Sequence, residues 1–310
     1  MGGLVTEIKR VGFIGLGNMG GPMCGHLARA GFVVDAFDVD DGALARAVDA
    51  GARAETSSVD CAVGADAVIT MLPAPPNIEQ VLLGDGVIAA MRPGSVSIDM
   101  STSSIAVGSR VAAAARERGV EVLDAPVAGQ NIGAQAGTLA IYVGGEEAVF
   151  ERALPLLQVM GNPDRIFHMG PHGAGYTIKL LLNLKWFIES VATGEILTVG
   201  VRAGVPLDRL YRALVGSPAN SNFLEHDVRP VLESGDYDEA FPMRLVTKDL
   251  GLAVDLAREV GMPVELTGLV EQIHRRARVA YGDDAGEISA IRLYEDLAGL
   301  DLRLSADDLD

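Results

Sequence analysis

A short apolar run that leads into closely spaced glycines constrains the fold of this chain more than any other feature. Residues 11–14 are apolar, and glycines follow with the spacing Gly-x-Gly-x-x-Gly before a helix-like run begins. In such a strand–turn–helix the first glycine permits the tight turn, the second lets a phosphate approach the backbone, and the third lets helix pack on strand. We therefore expect this loop to cradle the pyrophosphate of a dinucleotide. Its residues are Gly15, Leu16, Gly17, Asn18, Met19 and Gly20.

The glycine spacing alone would be a weak signal, because the chain has 37 glycines among 310 residues. The alternative is a glycine-rich loop beside a surface aspartate. The next apolar run, residues 32–37, ends at Asp38. An acid there can bind both hydroxyls of an adenine ribose and would repel a 2′-phosphate. Because Val39, Asp40 and Asp41 add no Arg or Lys, the sequence predicts NAD rather than NADP as the cofactor.

The composition excludes several classes of function. A formal net charge of −17 argues against nucleic acid or an anionic membrane as a main partner, since both require clustered Lys and Arg. Two cysteines, Cys24 and Cys61, indicate no disulfide framework, and five histidines without ligand spacing indicate no metal. The start of the chain has no signal-like segment, and no 18-residue apolar span follows. We expect a cytoplasmic protein.

Short β-branched runs alternate with longer helical runs up to about residue 170. This alternation predicts βαβ units and a parallel sheet covered by helices on both faces. Glycines 31, 51 and 119 follow three of the helical runs, where C-terminal caps are expected. The predicted strands are Val11–Ile14, Phe32–Phe37, Ala67–Met71, Ser95–Asp99, Val120–Ala125, Leu139–Val143 and Asp164–Phe167.

The pattern changes after Gly173. The run Gly175–Ala203 is dense in Leu, Ile, Val and Ala and contains no proline, which predicts one long helix that founds a second domain. The fold class is therefore α/β: a Rossmann-type parallel-sheet domain at 8–172, then an all-helical domain at 173–303 whose residues 173–203 form an interdomain helix. The other predicted helices are Pro206–Val215, Ala219–Glu233, Phe241–Val260, Pro263–Ala280 and Ser289–Ala298, before a frayed acidic tail at 305–310.

Three loops follow predicted strand ends, where ligands bind in open α/β sheets. They comprise residues 71–77, 99–103 and 124–131. Taken alone, each is equally consistent with a polar turn.

Lys179 and Asn183 are four residues apart in the long helix and therefore share one of its faces. Their neighbours, residues 178, 180–182 and 184, are Ile or Leu. Desolvation favours the neutral amine and would make such a lysine a usable proton donor or acceptor, while the amide of Asn183 could orient it or the substrate. The alternative is a lysine whose charged end reaches solvent, which periodicity alone favours.

With these residues in place, the sequence resembles the β-hydroxyacid dehydrogenase family, which includes 3-hydroxyisobutyrate dehydrogenases and tartronate semialdehyde reductases. Residues 13–20 resemble its cofactor signature, and residues 124–139 resemble its substrate-loop signature. Gly173, Gly175, Lys179 and Asn183 resemble its catalytic helix, and residues 248–253 its last motif. The motifs occur in the family's order along nearly the whole chain.

The resemblance implies an NAD-dependent dehydrogenase that acts on the CH–OH group of a β-hydroxy acid or a related alcohol. Lys179 would be the general acid/base, assisted by Asn183. The resemblance also implies a small hydroxy acid or aldehyde as substrate and a homodimer or homotetramer. The implied cofactor residues are Leu72, Pro73, Asn77, Thr102 and Lys248; the implied substrate residues are Ala128, Gly129 and Gln130, together with Lys179 and Asn183.

Two residues depart from the family pattern: Ala128 stands where Ser is usual, and Gln130 where Gly is usual. A lost hydroxyl removes a hydrogen bond to a substrate carboxylate worth about 1.5–3 kcal/mol, unless Gln130 or Asn131 replaces it. Two other functions stay open. An imine or ketone reductase of this fold would usually carry a different residue at position 179. A non-catalytic NAD-binding module would not need Lys179 with Asn183, and basic linkers expected of a chromatin-recruiting module are absent from the sequence.

Overall fold

The computed structural model describes residues 7–238 and 241–305. Residues 306–310 of the predicted acidic tail lie outside the described part. The chain divides into two compact units, residues 1–179 and 180–310, and each is described by itself. The predicted domain boundary between residues 172 and 173 stays a prediction.

The first unit is built on a nine-stranded sheet. Its strands are β1 (Arg10–Ile14), β2 (Val33–Phe37), β3 (Arg53–Ala54), β4 (Ala67–Thr70), β5 (Val96–Asp99), β6 (Glu121–Asp124), β7 (Val127–Ala128), β8 (Leu139–Gly144) and β9 (Gly161–Gly170). They lie in the order β3-β2-β1-β4-β5-β6-β8-β7, with β9 against β8. Strands β1 to β6 pair in parallel in the order of a Rossmann sheet. The predicted fold class is confirmed.

The sheet differs from the sequence prediction in two ways. Strands β3 and β7 were not expected, because two residues are too few to show periodicity. Strand β8 runs antiparallel to β6 and β7, so the sheet is not wholly parallel. Only ten residues, 129–138, separate β7 from β8, which is fewer than a parallel crossover requires.

Helices cover both faces of this sheet. Phe13 packs into one apolar layer with Met23 and Leu27, while the next residue, Ile14, packs into the other with Ile78. Successive residues of a strand point to opposite faces, so a continuous apolar run can fill both layers. The helices are α1 (Gly20–Arg29), α2 (Asp41–Asp49), α3 (Ser58–Ala62), α4 (Pro75–Glu79), α5 (Val87–Ala90), α6 (Ile105–Arg118), α7 (Gln130–Ala136) and α8 (Glu147–Met160), with a π-helical turn at Gln80–Gly84.

The long predicted helix is α9 (Ala174–Arg202), which begins in the first unit and continues into the second. The other helices of the second unit are α10 (Leu207–Val215), α11 (Arg229–Ser234), α12 (Met243–Glu259), α13 (Glu265–Tyr281) and α14 (Arg292–Ala298), with a π-helical turn at Leu224–Val228 and a 3₁₀ turn at Glu287–Ala290. Phe187 of α9 packs there with Leu250 of α12 and Val270 of α13.

One helix of the second unit starts later than predicted. Helical structure was expected from Ala219 but begins at residue 222. The hydroxyl of Ser217 accepts a hydrogen bond from the N–H of Ala219, and that of Ser221 accepts one from Leu224. The first bond stabilises the turn before the helix, and the second caps the N-terminus of the helix that begins at residue 222.

Among the described residues, none of the helices combines the length and the apolar composition needed to cross a membrane.

Candidate active site

The loop between β1 and α1 has the geometry expected for a pyrophosphate site. A Cβ atom on Gly20 would overlap the carbonyl oxygen of Gly15, and one on Gly15 would overlap that of Met71. At Gly17, by contrast, no described atom lies within 4 Å of where a Cβ would be. Helix and strand therefore pack closely on either side of an open stretch of backbone, and the loop fits a dinucleotide phosphate group.

Asp38 follows β2 and is tied to this loop. Its Oδ2 accepts a hydrogen bond of 2.5 Å from the N–H of Leu16, and its Oδ1 accepts one of 2.8 Å from the N–H of Asp40. The next side chain, Val39, is 92% exposed. The carboxylate thus lies beside the phosphate loop, where it fits the ribose of a dinucleotide.

The other cofactor residues predicted in the first unit follow β4 and β5, which are neighbours in the sheet. Leu72 and Pro73 follow β4, Asn77 lies in α4, and Thr102 follows β5. The N–H of Leu72 donates a hydrogen bond of 2.8 Å to the hydroxyl of Ser101, which joins the two loops. The structure therefore places these residues at the carboxyl edge that also carries the phosphate loop and Asp38.

Two buried aspartates end neighbouring strands at this edge. Asp99 ends β5, Asp124 ends β6, and the two are paired in the sheet register. Asp99 accepts hydrogen bonds from the hydroxyls of Thr70 (2.8 Å), Ser101 (2.6 Å) and Tyr176 (2.6 Å). Burial raises the pKa of Asp99, and it raises the pKa of Asp124 to about 6.

The predicted substrate loop begins at the end of β7. Ala128 is half-buried, whereas Gly129 and Gln130 are exposed. Gly129 has a φ of 128° and Gln130 a φ of 53°; among the described residues Gln130 is the only non-glycine with a positive φ. A left-handed backbone costs a residue with a Cβ roughly 1–2 kcal/mol. The glycine usual at this position in the family would avoid that cost.

The predicted catalytic pair lies on α9, where a spacing of four residues places both side chains on one face. Lys179 belongs to the first unit and Asn183 to the second. Within the second unit, the amide Nδ2 of Asn183 donates a hydrogen bond of 2.7 Å to Oδ2 of Asp249. The ammonium group of Lys248 lies 3.0 Å from Oδ1 of the same carboxylate.

Five side chains near these groups, Asp99, Ser101, Asp124, Tyr176 and Asp249, were not predicted as site residues. Asp99 and Ser101 lie in a strand-end loop that the sequence singles out, but their hydrogen bonds could not be inferred from it. Tyr176 gave no signal, and Asp249 lies in the motif at residues 248–253 without being singled out, because the partners of both side chains are distant in sequence. Within residues 7–238 and 241–305 no three His, Cys, Asp or Glu side chains are grouped to hold a metal ion; the absence of a metal stays a prediction.

Two models of known protein families match the chain, one over each part of it. Residues 10–170 match the family model described as the NAD binding domain of 6-phosphogluconate dehydrogenase. Residues 173–294 match the model described as NAD-binding of NADP-dependent 3-hydroxyisobutyrate dehydrogenase.

Named relatives are similar over nearly their whole length. The chain is 36% identical over 293 residues to 2-(hydroxymethyl)glutarate dehydrogenase of Eubacterium barkeri, covering 94% of this chain and 96% of the relative. It is 38% identical over 275 residues to the NAD-dependent L-serine dehydrogenase of Pseudomonas aeruginosa, covering 86% of this chain and 92% of the relative. The solved structure of Mycobacterium tuberculosis 3-hydroxyisobutyrate dehydrogenase with L-serine has a TM-score of 0.86 and 32% identity, covering 93% of this chain and 99% of that one.

One assignment follows from the phosphate loop, the helical second unit and the named relatives. The chain belongs to the family of 3-hydroxyisobutyrate dehydrogenases and related hydroxyacid dehydrogenases, and it is an NAD(P)-dependent oxidoreductase.

Proposed function

We propose that this protein interconverts the hydroxyl group of a small β-hydroxy acid and the corresponding aldehyde, with Lys179 as the general acid/base. The observation that carries the proposal is that Lys179 shares a helix face with Asn183, whose amide is held by the buried Asp249. A lysine at such a position can take up or return a proton at the reacting oxygen. An ordinary surface lysine would not need an oriented amide one turn away.

NAD is the proposed cofactor, in preference to NADP. Asp38 presents a carboxylate beside the phosphate loop, and an added 2′-phosphate would bring two anions together. The residues of the first unit expected to hold the cofactor are those of the phosphate loop, Asp38, and the residues after β4 and β5; the family resemblance adds Lys248 as an expected cofactor residue. When bound, the nicotinamide supplies the group that exchanges a hydride with the carbinol carbon.

The residues of the chain account for the proton and for orientation. On oxidation, Lys179 takes the hydroxyl proton through its Nζ, and on reduction it returns that proton to the carbonyl oxygen. Because the Nδ2 of Asn183 is engaged by Asp249, its Oδ1 is the atom suited to accept a hydrogen bond from the lysine or from the substrate hydroxyl.

The relatives support a narrower substrate class. Hydroxymethylglutarate, serine and 3-hydroxyisobutyrate, the compounds for which they are named, each carry a CH₂OH group on the carbon next to a carboxylate. We infer a substrate of this form, HO–CH₂–CH(R)–COO⁻. Ala128, Gly129 and Gln130 are assigned to the acid group. With a methyl group in place of the usual hydroxyl, Gln130 is the side chain there that can donate a hydrogen bond.

We also infer a homodimer or homotetramer in the cytoplasm. Support for self-association comes from apolar side chains exposed on α9, with Val199 at 68% and Ile196 at 49%.

The test is a substrate panel followed by absorbance of the reduced cofactor. It contains L-serine, 3-hydroxyisobutyrate and 2-(hydroxymethyl)glutarate, the matched alcohols without a carboxylate, and a set of imines. We expect turnover with at least one acid and little with the matched alcohols. Turnover of imines alone would replace the proposal with an imine reductase, and cofactor binding without any turnover would favour the non-catalytic module.

A further inference from the structure

The first turn of α9 is fastened to the sheet by the two aspartates that end β5 and β6. Asp124 accepts hydrogen bonds from the backbone N–H groups of Gly173 (2.7 Å) and Tyr176 (2.8 Å). Asp99 accepts one of 2.6 Å from the hydroxyl of Tyr176. Tyr176, which is 2% exposed, is thus held through its backbone and its side chain at once.

Close packing fixes the position of the Asp124 carboxylate. A Cβ atom on Gly144 would lie 2.5 Å from its Oδ1, and one on Gly175 would lie 2.8 Å from its Oδ2. Those distances are too short for a carbon atom, so only glycine fits on either side. The carboxylate therefore lies in close contact with β8 on one side and with the start of α9 on the other.

The Asp124 carboxylate is buried and is held by hydrogen bonds rather than by an ion pair. The imidazole of His172 lies 3.9 Å from Oδ1, but burial lowers the pKa of His172, so at neutral pH the ring is uncharged. Asp124 has a pKa of about 6 and is ionised at neutral pH. Each of its oxygens can then accept one of the two N–H groups.

Lys179 lies on the part of the helix that these bonds hold. It follows Tyr176 by three residues and Gly175 by four, so all three point to the same side of α9. Rotation or fraying of the first turn would therefore displace the amine of Lys179.

We propose that Asp124, together with Asp99 and Tyr176, positions Lys179 by fixing the start and the rotation of α9. The proposal rests on the proposed function, which assigns the proton transfer to Lys179. Asp124 and Tyr176 act through the helix and are positioning residues. A purely structural role would change the stability of the first unit and leave the folded enzyme's turnover as it was.

The first experiment uses Tyr176→Phe, which removes one hydroxyl and leaves Asp99 its bonds from Thr70 and Ser101. Tyr142→Phe is the matched control, since it removes a tyrosine hydroxyl from β8 and leaves the stacking of that ring on Phe167 in place. Hydrogen exchange of the peptide covering residues 173–180 is measured with kcat and KM, using L-serine and 3-hydroxyisobutyrate as probes. We expect Tyr176→Phe to exchange about tenfold faster and to lower kcat about tenfold, with the KM for NAD within about twofold.

The second experiment uses Asp124→Asn. An amide offers one acceptor oxygen and turns its NH₂ group toward the other N–H, so one of the two bonds is lost. We expect kcat to fall about 100-fold, again at a nearly constant KM for NAD, because the amine of Lys179 is displaced while the cofactor site is unchanged.

The outcomes separate the two proposals. If Tyr176→Phe folds and keeps the parent's exchange and kcat, the positioning role is refuted, whether or not Asp124→Asn can be purified. If Lys179→Met keeps its turnover, the proposed function fails, while the exchange data still decide whether Asp124 and Tyr176 hold the helix.

Discussion

The side-chain amide of Asn183 donates a hydrogen bond of 2.7 Å to the buried carboxylate of Asp249. A carboxylate only accepts, so the bond decides which way the amide faces: Nδ2 points to Asp249, and Oδ1 is left for another donor. The adjacent Lys248 lies 3.0 Å from the second oxygen of Asp249. One buried aspartate in α12 therefore orients two residues that the sequence predicts for the site.

Replacing Asp249 with Asn should remove the constraint on the orientation of the Asn183 amide. Either end of the Asn183 amide could then face position 249, and Lys248 would lose its charged partner. We expect kcat/KM to fall about tenfold or more, the effect of one hydrogen bond to a charged group. Asp255→Asn, on the exposed side of the same helix, should keep the parent's value. Parent kinetics for Asp249→Asn would show that the orientation of Asn183 does not matter.

Lys179→Met should leave the fold and the affinity for NAD largely intact and lower kcat by a factor of at least about 10², the usual lower effect of general acid–base catalysis. The matched control is Lys185→Met, since Lys185 is exposed on the same helix and pairs with Glu189. Steady-state kinetics measure both variants. Turnover within tenfold of the parent for Lys179→Met would exclude the assigned role.

The preference for NAD is expected to depend on Asp38. Asp38→Ser combined with Val39→Arg removes the repelling carboxylate and adds a partner for a 2′-phosphate, so the ratio of kcat/KM for NAD and NADP should move toward NADP. Position 39 accepts the long side chain because Val39 is 92% exposed. Equal efficiency of the two cofactors with the parent enzyme would contradict the assignment.

Gln130→Gly should affect stability and substrate binding in opposite directions. Relief of the positive φ should raise the free energy of unfolding by up to about 1 kcal/mol, after allowance for the entropy of glycine. Loss of the amide should raise KM for the best substrate about tenfold, with a smaller change in kcat. Denaturant titration and kinetics test the two effects separately.

A second variant tests the same loop by restoring the family pattern. Ala128→Ser combined with Gln130→Gly should improve turnover of 3-hydroxyisobutyrate or tartronate semialdehyde. If this variant and Gln130→Gly both keep the parent's substrate ranking, residues 128–130 do not determine specificity.

His274 should make the second unit sensitive to acid. Burial lowers the pKa of His274 to about 4, whereas a histidine in the unfolded chain titrates near 6.5. Between these two pKa values the folded state thus binds fewer protons than the unfolded state. The contribution of neutral His274 to the free energy of unfolding is therefore complete above pH 6.5 and is lost as the pH falls toward 4. The loss from pH 7.5 to 4.5 should be about 2–3 kcal/mol.

His274→Gln is the comparison for this effect, because it can keep a donor toward the carbonyl of Val270 without a titrating ring. Its free energy of unfolding should fall less than that of the parent over the same range. Identical pH profiles for the two proteins would mean that His274 does not stay neutral in the folded state.

Much of the fold could be predicted because it depends on local patterns. The ends of the seven predicted strands lie within three residues of the observed ends, whereas β3 and β7 were not predicted, and α9 was expected one residue later at each end. The predicted helix start at Ala219 was wrong: helical structure begins at residue 222, and that position depends on hydrogen bonds accepted by the hydroxyls of Ser217 and Ser221, which apolar periodicity does not show.

The site divides in the same way. The phosphate loop and Asp38 have fixed spacings within one βαβ unit, so the sequence alone could predict them as cofactor residues. The bonds from Tyr176 to Asp99, and from Asn183 to Asp249, join residues 77 and 66 positions apart. Only the fold brings such pairs together, so a sequence pattern gives no sign of them.

Gly144 and Gly175, which lie on either side of the Asp124 carboxylate, also limit how this enzyme can be redesigned. Mutant libraries that place side chains at positions 144 or 175 should consist mainly of inactive members, because a Cβ atom at either position would overlap an oxygen of the Asp124 carboxylate. Residues 128–130 are different: Ala128 and Gln130 depart there from the family pattern that the sequence resembles, and Gln130 has a positive φ. Substrate range should therefore be altered by diversifying that loop while the start of α9 is left untouched.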